Sequence, residues 1–556
     1  MKIRQCPVAW KRPARVSAAR RVCSITKWFP VLILAALLVT ACGKSPAQPK
    51  YIFLLTLDTT REDSVNYTPG NSDTPHLAAL ASRGRTWSNA FALTPITLPS
   101  HLNILYSLPP HLLKVYNNGQ PTEIPHPSLP QLLKSRGYQS AAAISLGVLK
   151  KDFGTAKGFD TYAENFRPNL WYRTAAEVNR DAFAALDRFQ GEKTFFWFHY
   201  SDPHEPYYPP RFSERFRLLL EGRQIHSHLS TDQPRVMVDF MVPPGRSLLV
   251  LDTEVPEEFK GPDDTRVRFI SYQDFSMAPE AGTEEVIELK IPRHWRRTRN
   301  KRQVNYLSSR FRSPLEILNR DTEPRRVRIS FIYRMLEHPD SRAGLYREQV
   351  KYMDSQIGLL LNAIRERGMM DDSLFLVIGD HGEGLGEYRN HYGHIHYLNP
   401  VYTRVPLLLA GKGVSAAPPS SDLVSTLDVA PTLLEIAACK KPDFMEGLSL
   451  LKKIPIRRVV LETYSPEAYF DAFSIVAPPW QIIHYPGRPD EKIELIHMEN
   501  DPLGIINRFE SCENRKIKSD LYNAVLKISR ALIASKRRPG QISKRHEEIL
   551  KSLGYL

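Results

Sequence analysis

Three apolar runs of strand length each lead directly into carboxylate or imidazole groups. They are residues 51–57 before Asp58, residues 194–200 before Asp202 and His204, and residues 374–379 before Asp380 and His381. Such unbroken runs predict strands buried on both faces, and parallel strands bring their carboxyl ends to one edge of a sheet. Carboxylates and imidazoles that meet at such an edge are suitable ligands for a divalent metal. Solvated turn residues are the alternative interpretation of each run taken singly.

A hydroxyl group is expected near the start of a helix. The stretch TLPSH begins at Thr97, and the apolar positions after it fit a helix that opens near Ser100. Free N–H groups at a helix N-terminus and the helix dipole both favour an anion. A hydroxyl in that place is suited to attack on phosphorus or sulfur. The alternative is that Thr97 only helps to cap the helix.

These motifs, in this order, resemble the sulfatase family of the alkaline phosphatase superfamily. The matching stretches include LDTTRED around Asp58, TLPSH at Thr97, KGFDTY at Lys157, DPHEPY at Asp202, LFLVIGDHGEGLGE around Asp380, GHIHYLNPVYTRVPLLL from Gly393 and STLDVAPTLLEIA from Ser425. They cover residues 51–210 and 345–556 and leave the middle of the chain unmatched. The resemblance implies an α/β fold, an alkaline-phosphatase-like sandwich with a central, mostly parallel sheet, a β-rich insertion and a small C-terminal α+β subdomain.

The resemblance also implies roles for nine side chains. The implied metal ligands are Asp58, Asp380 and His381, the implied catalytic residues are Thr97, His204 and His394, and the implied substrate-binding residues are Asn118, His101 and Arg61. The family pattern implies one divalent ion, Ca²⁺. A histidine among the ligands keeps Zn²⁺ or Mn²⁺ open, and the imidazole-rich stretch at residues 391–396 keeps a second metal open.

Four positions depart from the family pattern, one of them near Leu108, where a basic residue of the family is replaced. The family has C-x-P-S-R at the nucleophile, or the same motif with Ser, and that Cys or Ser is converted to formylglycine. Thr97 is not expected to undergo that conversion, His101 replaces the arginine, and Thr59 stands where a second acid normally follows Asp58. We therefore expect a metal-dependent hydrolase of sulfate or phosphate esters with Thr97 as nucleophile. The alternatives are a phosphotransferase, such as one for phosphoethanolamine, and a catalytically inactive, anion-binding lipoprotein.

The first 41 residues predict an export signal. They carry eight Lys and Arg residues and no acid, and they end in an apolar run at residues 28–41 that is too short to span a bilayer comfortably. The end of this run, LVTACG, resembles a bacterial lipobox in which Cys42 is lipidated. A secretory signal followed by a chance cysteine is the alternative. We expect an exported protein, anchored by lipid to a bacterial membrane on the outer-membrane or periplasmic side.

The charge balance and the predicted location restrict the partners. The whole chain carries +15, and the segment before Cys42 supplies eight of these charges, which leaves +7 for the rest. The remainder is thus only mildly basic, and an exported protein rarely meets nucleic acid. The expected partner is an anionic ester, namely a glycan, a lipid headgroup or a small molecule.

The expected domain organisation has five parts. They are a signal peptide (1–41), a tether (42–50), a catalytic domain (51–210 and 344–450), a β-rich insertion (211–343) and a C-terminal subdomain (451–556). About 515 residues after the signal exceed a single core of about 250–300 residues. Alternating segments in the insertion predict a small β-sandwich at the rim of the site. It would serve as a lid or recognition module, or as surface decoration or a dimer contact, and its basic run at residues 293–302 would dock an anion or remain a solvated loop.

Overall fold

The structure is a computed structural model, and the residues it describes begin at Gln48. They are 48–68, 70, 73–166, 171–205, 207, 215–229, 235–254, 269–290, 305–308, 313–336, 339–464, 470–488 and 492–535. The predicted signal peptide, Cys42 and the basic run at residues 293–302 lie outside them. Within the described ranges, no helix is both long enough and apolar enough to cross a membrane.

A central sheet of eight strands organises the catalytic part of the chain. Its strands are β1 (Tyr51–Leu57), β2 (Gly84–Phe91), β3 (Gln139–Ala143), β4 (Thr161–Ala163), β5 (Thr194–Tyr200), β15 (Ser373–Gly379), β18 (Leu407–Gly411) and β19 (Ser420–Ser425). They lie in the order β19-β2-β18-β15-β1-β5-β3-β4. Strand β18 is antiparallel to both β15 and β2, whereas β1 is parallel to both β15 and β5. The prediction of a mostly parallel sheet is confirmed.

Helices cover both faces of this sheet, and the last helix covers one face of a smaller C-terminal sheet. They are α1 (Pro75–Ala81), α2 (Thr97–Tyr106), α3 (Pro110–Leu113), α4 (Leu129–Lys134), α5 (Ala175–Arg188), α6 (Pro339–Glu366), α7 (Pro400–Thr403), α8 (Val429–Ile436) and α9 (Arg515–Ser535). Ile52 and Leu54 of β1 belong to the core that includes α2, α4 and α8, while Phe53 and Leu55 belong to the core that includes α1, α5 and α6. Burial on both faces explains why β1, β5 and β15 read as unbroken apolar runs.

The insertion is a two-sheet β-sandwich. Its strands are β6 (Arg215–Leu220), β7 (Arg223–Leu229), β8 (Arg235–Val242), β9 (Gly245–Glu254), β10 (Phe269–Pro279), β11 (Ile287–Lys290), β12 (Asn305–Ser308), β13 (Ser313–Asn319) and β14 (Arg325–Leu336). One sheet has the order β12-β10-β14-β8 and the other β11-β13-β9-β6-β7. Residues such as Leu249, Ile317 and Ile329 form one buried core between them. Helix α6 begins at Pro339, a few residues before the expected end of the insertion.

The C-terminal part is a second, smaller sheet closed by a helix. Its antiparallel strands are β20 (Val459–Thr463), β21 (Ala472–Ala477), β22 (Trp480–His484) and β23 (Ile493–His497). Ile475 and Ile482 pack against Leu521 and Val525 of α9. A two-stranded ribbon, β16 (Gly384–Leu385) with β17 (Tyr392–Gly393), follows β15. The expected α+β subdomain is present.

Candidate active site

Strand register brings the first candidate residues together. Leu57 pairs with Gly379 on β15 and with Tyr200 on β5, so three neighbouring strands end at the same level. Asp58 follows the first strand directly, and Asp380 and His381 follow Gly379. One ligand atom from each of these three residues lies within 4.8 Å of the others, and all three side chains are fully buried. The predicted convergence at the sheet edge is observed.

Each carboxylate has one oxygen held by the protein and one oxygen without a donor. Asp58 Oδ2 lies 3.2 Å from His199 Nε2, and Asp380 Oδ1 accepts from the backbone N–H groups of Thr59 (3.1 Å) and His381 (2.7 Å). No donor in the described part of the chain reaches Asp58 Oδ1 or Asp380 Oδ2. Two buried, unsatisfied oxygens beside an imidazole nitrogen fit a divalent cation, which would satisfy both.

The electrostatics of the pair agree with this fit. Burial, followed by the neighbouring Asp58 carboxylate, holds the pKa of Asp380 well above its ordinary value. Burial alone would also raise the pKa of Asp58, but the hydrogen bond from His199 and the nearby imidazoles hold that pKa below its ordinary value. Without a cation, two adjacent buried carboxylates cannot both carry full charge at low cost.

The backbone at Thr59 is strained, and its conformation helps to hold the Asp380 carboxylate in place. Thr59 has a φ of 52°, in the left-handed region that a β-branched residue rarely adopts. In that conformation its N–H points to Asp380, while its hydroxyl donates to the carbonyl of Asp58. Strain of this kind costs about 1–3 kcal/mol and is found mainly at functional sites.

Backbone contacts fix which nitrogen of His381 is available. Its Nδ1 lies 3.0 Å from the carbonyl of Gly382, so Nδ1–H donates there. Burial lowers the pKa of His381 to about 3, so the ring is neutral and Nε2 carries a lone pair. That nitrogen lies 3.3 Å from the hydroxyl of Thr97 and 3.4 Å from Asp380 Oδ2.

Thr97 lies at the first residue of α2, three residues earlier than the expected helix start. Pro99 is accommodated because N–H groups of the first turn have no partner within a helix. The Ser100 hydroxyl donates to the Asp380 carbonyl at 2.7 Å and thereby ties α2 to the end of β15. Asn118 Oδ1 accepts from the Leu98 N–H at 2.8 Å, and its buried Nδ2 has no acceptor in the described residues. A free donor therefore lies beside the start of α2.

His199 is a site residue that sequence reasoning missed. It lies in β5 and is fully buried, between Asp58 and Ser145. The Ser145 N–H donates to His199 Nδ1 at 3.2 Å, so the neutral ring carries its proton on Nε2 and donates it to Asp58. The only signal in the sequence was a polar residue inside an apolar run.

Both ring nitrogens of His101 also have hydrogen-bond partners within the protein. Its Nδ1–H donates to the Thr97 carbonyl at 2.8 Å, and its Nε2 accepts from the Thr56 hydroxyl at 3.1 Å. Trp197 Nε1–H in turn donates to Thr56 Oγ1 at 2.9 Å. Burial lowers the pKa of His101 to about 3, so it is neutral. Although Asp58, His101 and His199 also cluster, neither histidine presents a lone pair to the carboxylate, and the group with Asp380 and His381 is the better metal centre.

Two of the predicted substrate-binding residues have other partners. His101 is fully buried beneath Thr97, where it supports the start of α2. Arg61 is 5% exposed and forms ion pairs with Asp63 at 2.6 Å and with Glu387. The geometry therefore does not support substrate contact by either side chain, since their polar atoms are committed within the protein.

The predicted proton-transfer histidines lie beside the metal-site residues. The ring centroids of His394 and His381 are 4.5 Å apart, and those of His394 and His204 are 5.1 Å apart. His394 Nδ1 lies 3.1 Å from a Glu383 oxygen, and burial lowers the pKa of His394 to about 3. His391 instead contacts the Tyr402 hydroxyl, and within the described ranges no group of three metal-ligating side chains includes His391 or His396.

The fold and the site together define an ester hydrolase of the alkaline phosphatase superfamily. A buried carboxylate and imidazole cluster lies at the carboxyl edge of a mostly parallel sheet, beside a hydroxyl at a helix N-terminus. The chain belongs to the sulfatase family, whose model matches residues 50–438. A second model, described as the C-terminal region of N-sulphoglucosamine sulphohydrolase, matches residues 396–531.

Individual relatives agree with this membership. The chain is 23% identical to a choline-sulfatase of Rhizobium meliloti over 79% of this chain and 78% of the relative. It is 22% identical to an N-acetylglucosamine-6-O-sulfatase of Bacteroides thetaiotaomicron, over 86% and 85% of the two chains. A solved structure described as a complex with its substrate D-glucosamine-2-N,6-O-disulfate has a TM-score of 0.55 and 16% identity, and the match covers 90% of this chain and all of that one.

Proposed function

We propose that the protein hydrolyses sulfate esters in a metal-dependent reaction with Thr97 as the nucleophile. The observation that carries the proposal is the position of the Thr97 hydroxyl. It lies at the start of α2, 3.3 Å from His381 Nε2 and beside two carboxylate oxygens without donors. A hydroxyl, a lone pair and an anion-attracting helix end thus converge at one point.

Asp58, Asp380 and His381 would hold the ion. When bound, a divalent ion neutralises the substrate anion and lowers the pKa of a nearby hydroxyl. The set of two carboxylates and one imidazole supports Zn²⁺ or Mn²⁺ as well as the Ca²⁺ that the family resemblance implies.

The protein's own groups can account for the proton and bond changes. The Thr97 oxygen attacks sulfur, and the bond from sulfur to the leaving oxygen breaks. His204 or His394 takes the proton of the Thr97 hydroxyl and passes it to the leaving oxygen, and Asn118 Nδ2 donates to a transferred-group oxygen. Water then attacks the sulfur, the bond from sulfur to the Thr97 oxygen breaks, and the same histidine carries a proton from the water to that oxygen, which restores the hydroxyl and releases sulfate.

A second candidate is phosphoryl transfer or hydrolysis, and Thr97 itself is the observation that favours it. An unconverted hydroxyl resembles the nucleophile of superfamily members that act on phosphate esters. A threonine ester can be released only by attack of water or an alcohol on the transferred group, which is also the route of a phosphotransferase.

The relatives suggest the substrate class. One is named as an N-acetylglucosamine-6-O-sulfatase, and one structural neighbour is described with a disulfated glucosamine. We therefore propose a sulfated amino-sugar glycan as the substrate of this protein. This choice is supported by similarity alone.

Enzyme assays with matched variants at Thr97 test the proposal. The protein and its Thr97→Ala and Thr97→Ser variants are assayed on aryl sulfate, aryl phosphate, an aryl phosphodiester and 6-O-sulfated N-acetylglucosamine. We expect sulfate release by the wild type, partial activity in Thr97→Ser, none in Thr97→Ala, and a sulfuryl adduct on Thr97 by mass spectrometry. Elemental analysis should show bound Ca, Zn or Mn in all three. Turnover of phosphate but not sulfate esters selects the second candidate, and no turnover together with no metal contradicts both.

We also propose that Cys42 anchors the protein to a membrane through lipid. The support is the basic, acid-free leader and the LVTACG stretch. Metabolic labelling with a fatty acid analogue should mark the wild type and not Cys42→Ala, and the variant should leave the membrane fraction. Fatty acid label on the Cys42→Ala variant would contradict lipidation at Cys42.

A further inference from the structure

A basic groove lies at the far end of helix α2 from Thr97. It has a volume of about 570 Å³ and is formed by the end of α8, the loop after α4 and residues 447–455. Its wall at Gly447 is joined to Ser107, the residue that ends α2, by a hydrogen bond from the Gly447 N–H at 2.9 Å. Because α2 has ten residues, its two ends are about 15 Å apart. The groove is therefore separate from the candidate active site.

Positive charge dominates the lining of this groove. Its charged residues are Arg136, Lys440, Lys441, Lys452 and Lys453, with Glu435 as the single acid among the lining residues. Glu435 pairs with Lys452 at 3.3 Å. No carboxylate in the described part of the chain lies within ion-pair distance of the Arg136, Lys440 or Lys453 side chains. The groove thus presents cations that the described protein does not neutralise.

Part of the groove wall is apolar, and a hydrogen bond holds this part in place. Pro431, Leu448, Ile454 and Pro455 contribute apolar surface. The Leu448 N–H donates to a carboxylate oxygen of Asp428 at 2.7 Å, which anchors the wall to the start of α8. An anchored backbone lowers the entropy that a ligand must remove on binding.

Helix stabilisation explains only part of this charge. Cations near the C-terminus of a helix are favoured by its dipole, which accounts for Lys440 and Lys441 just after α8. Arg136 follows a different helix, and Lys452 and Lys453 come from a loop more than ten residues later. Three separate segments therefore direct cations to one concave surface.

We propose that this groove binds a sulfated or phosphorylated sugar, independently of catalysis at Thr97. Its volume lies in the range of about 300–1,000 Å³ that is typical of small-ligand pockets. The lysine and arginine groups would pair with the ester oxyanions, and the apolar wall would cover a sugar ring. A concave surface with apolar walls fits a sugar unit better than the flat surface of a membrane.

Thiol protection gives a direct test, since Cys439 lines the groove and Cys512 does not. Thr97→Ala protein is used, so that turnover does not enter. Alkylation of both half-buried cysteines by iodoacetamide is followed by peptide mass spectrometry, with and without a heparin tetrasaccharide. We expect the saccharide to slow alkylation of Cys439, to leave Cys512 unchanged, and to lose its effect as ionic strength rises.

Charge reversal supplies the control. Lys440→Glu with Lys453→Glu should weaken the protection roughly tenfold, while Lys516→Glu with Lys527→Glu on α9 should not change it. Equal protection by inorganic sulfate, protection by phosphatidylglycerol vesicles but not by the saccharide, or equal protection of both cysteines would each overturn the proposal. An unchanged circular dichroism spectrum shows that the variants fold. Every protection experiment uses Thr97→Ala protein. A negative result for the groove is therefore distinct from a negative result for catalysis at Thr97.

Discussion

His199 and His381 both face the carboxylates at the sheet edge, but they present different atoms. His199 presents a proton, because the Ser145 N–H occupies its other nitrogen. His381 presents a lone pair, because its other nitrogen donates to Gly382. One histidine is thus suited to orient Asp58, and the other is suited to bind a metal. Neighbouring backbone groups determine this difference, which residue type alone does not reveal.

We predict that His199→Ala weakens metal binding about 10- to 100-fold, the usual effect of removing a residue that orients a ligand. The hydrogen bond to Asp58 is lost, and the carboxylate loses its fixed orientation. Isothermal titration of the metal-free protein with Zn²⁺, Mn²⁺ and Ca²⁺ measures the effect. His199→Gln, which keeps an N–H donor, should recover part of the affinity, and His391→Ala is the matched control. Unchanged affinity in His199→Ala would show that Asp58 needs no such support.

At the scale of elements, the loop after β5 is joined to the start of helix α5. Asp202 Oδ1 accepts from the N–H of Ala175, the first residue of α5, at 3.0 Å. Burial raises the pKa of Asp202 to about 7, above its ordinary value of 3.8. The folded protein therefore keeps a proton on this carboxyl that the unfolded chain has already released above pH 3.8. The contribution of Asp202 to stability falls as pH rises from about 4 to 7.

Asp202→Asn should accordingly become more stable than the wild type as pH increases. The amide oxygen still accepts from Ala175, and the buried charge is gone. Urea unfolding at pH 5 and pH 8 should show a larger gain for Asp202→Asn at pH 8. Asp202→Ala loses the hydrogen bond to the helix start and should be about 1 kcal/mol less stable than Asp202→Asn at both pH values. A gain that does not depend on pH would contradict the assigned pKa.

The elements show what a sequence can and cannot predict. β1, β5 and β15 were predictable because burial on both faces gives apolar runs, and the residues after them were predictable as neighbours because parallel strands end together. The start of α2 was misplaced because the apolar positions that indicated the helix follow Ser100, whereas Pro99 fits its first turn. His199 was missed because its partner Ser145 is distant in sequence, and only strand pairing brings the two together.

For the whole molecule, neutral histidines that are fully or partly buried contribute to the response to acid. Burial lowers the pKa of His101 and of His396 to about 3, and that of His391 to about 4. The unfolded chain takes up protons on these rings below about pH 6.5, while the folded protein does not. The contribution of these histidines to stability is therefore fully present above pH 6.5 and decreases as pH falls toward their lower pKa values.

We predict that these three histidines remove folding free energy progressively between pH 6.5 and 4, against the opposite contribution of Asp202. Urea unfolding at half-unit pH intervals on the metal-free protein measures it. His396→Asn should give a shallower pH dependence, because one proton-binding group is removed from the unfolded chain. His497→Asn, at the end of β23, is the comparison variant. An equal slope in wild type and His396→Asn would contradict the prediction.

The pairing of β1 with β15 has a consequence for how the chain folds. β1 finds one neighbour, β5, by residue 200, but its other neighbour begins only at residue 373, after the entire β-sandwich. At 5–20 residues per second, synthesis of the intervening stretch takes roughly 10 to 35 s. During that interval β1 has an unpaired apolar edge, which is a site of aggregation. The sandwich thus separates β1 from β15 in the chain, and the candidate metal site cannot form until the chain beyond the sandwich is present.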